Sequence, residues 1–389
     1  MARKHKLVLS NTYGHPNIGD DAIVDSMVDN LLSVLDDVDI SVLTLFPQRT
    51  QQNQPAVRAV KSGVFAGIMS TIHRICEADL LIVGGGGIIQ DQTSLGNLLF
   101  HLSRPVIARL CGTPFICYAI GVGPLRTKIA AILTALVLSK AEKILVRDQL
   151  SADLLLKIGL SSSQILVTAD PVLILEFPTE VPEIPVYQQL QSIRKRNSRL
   201  VGISLRPEHS SYKLIPGKVA EPDSSERFFD TFVSVAQCLI QEWDAHIVFF
   251  SMHPNQDDPL GLRLAKILDR PDRIIFISGT TLPKDMMSLV SCVDVMIGMR
   301  LHTLIFSARS AVPMIGLSYD PKVEGFMRLI GQSDYILGSD QWKFGCIMQL
   351  VERIFENKEL ISKKIRANLP ALQAASKRNI SEITKVVLE

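Results

Sequence analysis

Gly298-Met299-Arg300-Leu301-His302, followed by Pro313-Met314-Ile315-Gly316-Leu317-Ser318-Tyr319-Asp320-Pro321-Lys322, sets a guanidinium, an imidazole and an ammonium around one expected strand-helix-strand unit. Those groups suit an anionic substrate that must also exchange a proton. Arginine offers a rigid donor fork for phosphate or carboxylate, lysine a movable point charge, and histidine a ring that titrates near neutral pH. Three cations gathered in one place are costly without an anion to hold, so Arg300, His302 and Lys322 are read together as a site. Arg147, in Val146-Arg147-Asp148, and Arg206, in Leu205-Arg206-Pro207, each close an expected strand and could extend it. For Arg147 an internal Arg-Asp pair is the competing explanation.

Other chemistry-bearing loops also follow strands. Asn17, Gly19 and Asp20 precede a helix, where backbone N–H groups could meet an anion or a sugar hydroxyl and Asp20 could take a hydroxyl proton; a capped helix start is the alternative. Gly86 and Gly87, in the run Gly84 to Gly87, allow close backbone approach. Gln90 and Asp91 have the groups to hold a sugar, and Asp91 shares with Asp20 the part of candidate acceptor base. The GxGxxG spacing and a Walker lysine are missing, so neither a dinucleotide site nor a P-loop is expected. Gly121-Val122-Gly123-Pro124 reads as a tight turn and Asp170-Pro171 as a turn start. His253 reads as a contact or loop-shaping residue. No His or Cys stands at metal-ligand spacing, and neither metal nor cofactor is expected.

Placing these loops requires a sizeable frame. The 389 residues, 47% hydrophobic and 21% charged, can bury about two domains. Apolar runs at Lys6–Ser10, Ile40–Leu45, Leu80–Val83, Pro114–Ile120, Lys143–Val146 and Ile165–Val167 alternate with helical stretches. A second series runs through Leu200–Leu205, His246–Ser251, Ile274–Ile277, Val293–Ile297, Met314–Leu317 and Tyr335–Leu337. This spacing predicts an α/β protein of two doubly wound, Rossmann-like domains facing a cleft, with ligands beyond the strand C-termini. The pattern stops between Phe177 and Arg199, at Pro178, Pro182 and Pro185. The expected domains are therefore 1–180 and 200–389, joined by a linker at 181–199. The tail from Gln341 to Leu388 reads as helices interrupted at Pro370 that could cross back to the first domain.

Charge and cysteine usage exclude other classes. The 41 basic and 39 acidic residues give a net charge of +2 with no basic stripe, which argues against nucleic acid as a partner. The six cysteines, Cys76, Cys111, Cys117, Cys238, Cys292 and Cys346, lack a CxxC pair and are read as reduced thiols. The basic start Met1-Ala2-Arg3-Lys4-His5-Lys6 runs into a strand, not a signal-peptide core, so a cytoplasmic location is expected. Ile129 to Leu138 is the longest apolar stretch, too short to span a bilayer, and is read as a core helix. A peripheral membrane contact through it and the basic start is the alternative.

At these residues the chain resembles the polysaccharide pyruvyl transferase family, most closely its CsaB type, which modifies bacterial cell-wall polymers. The likeness is carried by Asn17-Ile18-Gly19-Asp20-Asp21-Ala22-Ile23, Gly84 to Asp91, Ala119 to Pro124, Val146-Arg147-Asp148, Asp170-Pro171 and Leu205-Arg206-Pro207. Arg300-Leu301-His302 and Tyr319-Asp320-Pro321-Lys322-Val323 are its most specific parts. The resemblance implies a GT-B-like fold and transfer of pyruvate from phosphoenolpyruvate onto two hydroxyls of a sugar as a cyclic ketal. It implies Arg147, His302 and Lys322 as the catalytic set, with Arg300 from the same motif beside them. It also implies a lipid-linked acceptor ending in N-acetylmannosamine, met at the inner face of the membrane. The rival expectations are a GT-B glycosyltransferase using a nucleotide sugar and a non-catalytic sugar-binding protein.

Overall fold

A computed structural model describes residues 4–11, 13–63, 67–178, 180, 184–207 and 222–388. Met1 to Arg3 of the basic start and residues 181–183 of the expected linker, Pro182 among them, lie outside the described residues. The chain divides into two compact units. The first comprises Met1–His15, Asp20–Leu175 and Leu372–Glu389; the second comprises Pro16–Gly19 and Glu176–Ala371.

In the first unit the strands are β1 (His5–Ser10), β2 (Val38–Thr44), β3 (Arg58–Lys61), β4 (Leu80–Ile89), β5 (Phe115–Val122), β6 (Ile144–Val146) and β7 (Ile165–Val167). They form one parallel sheet in the order β3-β2-β1-β4-β5-β6-β7. Its helices are α1 (Ile18–Val34), α2 (Pro47–Asn53), α3 (Ile68–Cys76), α4 (Leu95–Cys111), α5 (Lys128–Leu138) and α6 (Gln149–Lys157). Successive strand residues point to opposite faces, so an unbroken apolar run such as Leu80–Val83 serves two cores at once. Leu81 and Val83 pack with Leu98, Leu102, Ala130, Leu138 and Leu155 of α4, α5 and α6. Leu80 and Ile82 pack with Met27, Val28 and Leu31 of α1 and with Ile380 and Ile383 near the C-terminus.

The second unit repeats the scheme with β8 (Leu200–Ser204), β9 (His246–Phe250), β10 (Ile274–Ile277), β11 (Val295–Gly298), β12 (Met314–Ser318) and β13 (Ile336–Gly338). The order is β10-β9-β8-β11-β12-β13, again parallel. The helices are α7 (Pro185–Lys195), α8 (Pro222–Gln241), α9 (Asp258–Leu268), α10 (Pro283–Val290), α11 (Leu301–Arg309), α12 (Pro321–Leu329) and α13 (Phe344–Leu388). In each sheet the winding reverses once, between β1 and β4 and between β8 and β11. Loops leaving two such strands diverge and open a crevice at the strand C-termini, the usual ligand position in α/β sheets.

Several expectations require correction. Gly84 to Gly87 do not form a loop; β4 runs through them to Ile89, with a register shift against β5 beyond Gly86. Part of the expected linker is α7, whose Leu190 and Ile193 are buried. Pro370 does not interrupt the terminal helix; the break falls at Asn357 (φ −119°, ψ 19°). Pro370 is exposed, so the carbonyl deprived of its partner can turn to water. The cysteines are not all reduced, because α3 and α4 end side by side and join through a Cys76–Cys111 disulfide, with Cα atoms 5.0 Å apart. Lastly, α5 is not a core helix. It buries only Ala130, Thr134 and Leu138 and leaves its other apolar side exposed.

Candidate active site

Four loops of the second unit converge at the C-terminal edge of its sheet. Arg206 follows β8, the segment Met252 to Asp257 follows β9, Arg300 and His302 follow β11, and Tyr319 to Lys322 follow β12. Arg300 is the residue immediately before α11, which places His302 in the first turn of that helix. The Ser204 and Thr303 hydroxyls, 3.0 Å apart, tie that turn to the end of β8.

Asp257 organises the β9 side. Its side chain is fully buried, and its Oδ2 accepts from the Met252 and His253 amides at 3.0 and 3.1 Å and from Arg300 Nε at 3.0 Å. Arg300 also donates to Asp257 Oδ1 and, at 3.0 Å, to Gln256 Oε1. The other cation is balanced too: Lys322 Nζ lies 3.0 Å from Asp320, which caps α12 through the Lys322 amide. The premise that these cations lack a resident anion is therefore corrected. Each is held by one carboxylate, which fixes its direction and leaves further donors on Arg300 and Lys322 for a ligand.

Tyr319 sits among these cations. Arg206 lies 4.6 Å above its ring and donates to its hydroxyl, and Lys322 Nζ lies 5.7 Å from the ring centre. Burial pushes the phenol pKa up, but Lys322, Arg206 and Arg300 outweigh it, and the net displacement is below the ordinary tyrosine value. A phenol so placed is a strengthened hydrogen-bond donor.

The segment Pro16–Gly19 groups with this unit. The Ile18 amide donates to the Met252 carbonyl at 3.0 Å, and the Gly19 amide donates to Asn17 Oδ1 at 3.1 Å, so Asn17 shapes the start of α1. Gly19 is where the His302 imidazole packs: a Cβ there would stand 1.9 Å from Nδ1 and 2.6 Å from Cγ. Only glycine leaves room for that ring.

In the first unit, Asp20 and the end of β4 occupy the other switch point. The carbonyls of Gly84 and Gly85 accept from the Tyr13 hydroxyl and the Asn11 amide, and Asp20 Oδ1 lies 3.6 Å from where a Cβ on Gly86 would be. Arg147, after β6, reaches back over two strands. A Cβ on Gly121 of β5 would meet its guanidinium at 3.1 Å, and one on Gly87 of β4 at 3.7 Å. The Gly121 segment is thus more than a tight turn; it gives passage to an arginine. Arg147 Nη1 donates to Asp170 at 3.0 Å, with both side chains nearly buried, so the internal pair is present and aims the guanidinium along the strand ends.

Two sugar-holding candidates are committed elsewhere. Gln90 accepts from the Thr93 amide at 2.9 Å and donates to its hydroxyl at 2.8 Å, closing its own turn. Asp91 accepts from the Arg126 amide and from the Thr127 amide and hydroxyl at 2.7 to 2.9 Å. Burial alone would raise the Asp91 pKa, but these donors hold it below the ordinary carboxylate value, which weakens it as a base. Sequence reasoning passed over Asp257, Tyr319 and Gly121 as site residues. The available signal was position, since each stands at or just beyond a strand C-terminus. Among the described residues no group of three or more His, Cys, Asp or Glu side chains could hold a metal ion.

Comparison with solved structures places the fold. The S. aureus protein MnaA, solved with UDP, superposes with a TM-score of 0.67 at 12% identity, covering 99% of this chain and 98% of that one. The UDP-GlcNAc 2-epimerase from Neisseria meningitidis bound to UDP-GlcNAc gives 0.61 at 12% identity, covering 99% and 100%. The architecture is GT-B-like. Among characterised sequences, the amylovoran biosynthesis protein AmsJ of Erwinia amylovora is 20% identical over 92% of this chain and 94% of its own. The sequence profile of the polysaccharide pyruvyl transferases matches residues 17–321, spanning Asn17 through Tyr319 and the strand-end residues between them, and the chain belongs to that family.

Proposed function

We propose that the protein is a ketal-pyruvyltransferase, moving pyruvate from phosphoenolpyruvate onto two hydroxyls of a sugar and releasing phosphate. The observation that carries this reading is the gathering of Arg206, Arg300, Tyr319 and Lys322 at the sheet edge that also bears His302. Phosphoenolpyruvate presents one carboxylate and one phosphate, which call for several oriented donors and one acid. His302 protonates the methylene carbon, and C2 becomes an oxocarbenium-like centre. The first sugar hydroxyl attacks C2, phosphate departs, and the second hydroxyl closes the ketal. Of the two hydroxyl protons, one restores His302 and one leaves with phosphate.

Arg206, Arg300, Lys322 and the Tyr319 hydroxyl stabilise the carboxylate and the departing phosphate. On the first unit Arg147 is the anion-binding group and Asp20 the candidate base for the acceptor. No step as written calls for a metal or cofactor. The acceptor is a lipid-linked oligosaccharide of polysaccharide biosynthesis, with N-acetylmannosamine as the terminal sugar by resemblance to the CsaB type.

The test is incubation with phosphoenolpyruvate and a synthetic diphospholipid-linked disaccharide ending in N-acetylmannosamine. Mass spectrometry should find the pyruvyl ketal, with phosphate released in equal amount. Consumption of a nucleotide sugar across an acceptor panel, with no ketal, would make the protein a glycosyltransferase instead. Sugar binding that never yields product would make it a binding protein.

Two substitutions probe the arrangement. Tyr319→Phe removes the acceptor of the Arg206 hydrogen bond and one donor to substrate, and KM for phosphoenolpyruvate should rise about tenfold, the worth of one charge-assisted bond. Gly19→Ala pushes the imidazole aside, and kcat should fall about 100-fold, the cost of misplacing a reacting group by roughly 1 Å. The thermal midpoint should barely move for Tyr319→Phe, which separates a lost contact from a lost fold.

A further inference from the structure

Helix α5 is apolar on every side; between Lys128 and Ser139 its only polar side chain is Thr134. Such a helix belongs in a core. Here Ile129, Ile132 and Leu136, which share one helix face, are 60%, 64% and 63% exposed. The neighbouring α4 carries a second stripe, Leu99, Val106 and Leu110, the last 83% exposed. Both helices bury their opposite sides in one core on the same face of the sheet, so both stripes look outward from the first unit.

The charge along α4 and α5 is mainly basic, flanked by Asp91, which is engaged by the Arg126 and Thr127 amides, and by Glu142. From Gln92 to Ala141 the sequence contains no Asp or Glu, while Arg109, Arg126, Lys128 and Lys140 are exposed at the ends of the two helices. We propose that this face docks on an anionic lipid surface. Isoleucine and leucine side chains enter the headgroup boundary, and the four bases meet lipid phosphates. A second copy of the chain fits less well, because a symmetric contact would bring four exposed bases against their counterparts with only Asp91 and Glu142 nearby in sequence to offset them. The proposal rests on this surface alone and stands or falls apart from the transfer reaction.

Flotation of the full chain with vesicles tests it. The protein should float with vesicles of phosphatidylcholine and phosphatidylglycerol in equal parts, stay behind with phosphatidylcholine alone, and be released by salt. Ile132→Glu with Leu136→Glu should lower the bound fraction about tenfold, since two aliphatic anchors are replaced by like charges to the lipid. Lys128→Glu with Lys140→Glu should do the same by charge alone. Unchanged thermal melting shows that each variant folds, and unchanged turnover of a short water-soluble acceptor separates this surface from the site. Equal flotation of variants and parent, or no flotation of the parent, overturns the proposal. So does a parent dimer that the Ile132→Glu, Leu136→Glu pair converts to monomer, since the face would then be an interface between copies.

Discussion

His302→Ala should lower turnover by up to about 10⁴-fold while phosphoenolpyruvate still binds. Positioned acid catalysis contributes about 10²- to 10⁴-fold, and protonation at carbon is the step that water performs least readily, so the upper end is expected. Binding should survive because the proposed anion-holding groups are Arg206, Arg300, Lys322 and Tyr319, and Arg300 and Lys322 are oriented by Asp257 and Asp320. Arg147→Ala is the contrast: its guanidinium is proposed to bind the anion, so affinity should fall along with rate. Calorimetric titration of phosphoenolpyruvate, beside a phosphate-release assay, separates the two. A His302→Ala variant with full activity would remove the imidazole from the reaction and leave the site as a binding cradle.

Much of this frame was legible from residue order. Unbroken apolar runs between helical stretches predict a parallel sheet covered on both faces, and both sheets have that form. Strand β3 escaped because Arg58-Ala59-Val60-Lys61 is short, lies at an edge and carries two charges, so it lacks the apolar run of its neighbours. The glycine run looked like a loop because glycine is a poor strand former, yet Tyr13 and Asn11 hold its carbonyls in place from another part of the chain. The disulfide was illegible for a similar reason: Cys76 and Cys111 are brought together by two helices ending side by side, not by spacing.

The candidate site divides in the same way. Residue type and position at strand ends were sufficient to nominate Arg147, Arg206, Arg300, His302 and Lys322. They were insufficient to say which polar residues are already engaged. Gln90 and Asp91 have the right chemistry, but Gln90 is consumed by its own turn and Asp91 by the amides of Arg126 and Thr127 at the start of α5. Conversely, a fully buried Asp257 cannot be distinguished in sequence from an ordinary helix-start aspartate, because its importance comes from Arg300, a residue in a different loop.

That dependence sets the second large effect. Asp257→Ala should destabilise the second unit by about 3–5 kcal/mol, since it strands a largely buried guanidinium and two amides that now share one carboxylate. A drop in the midpoint of urea unfolding would report it. Asp257→Asn separates stability from function: the amide keeps the volume and one acceptor oxygen but turns an N–H group toward donors it cannot satisfy. The fold should persist at reduced stability, with Arg300 no longer held and KM for phosphoenolpyruvate raised. If KM were unchanged in Asp257→Asn while stability fell, Arg300 would serve the fold and not the substrate, and the anion would rest on Arg206, Tyr319 and Lys322 alone.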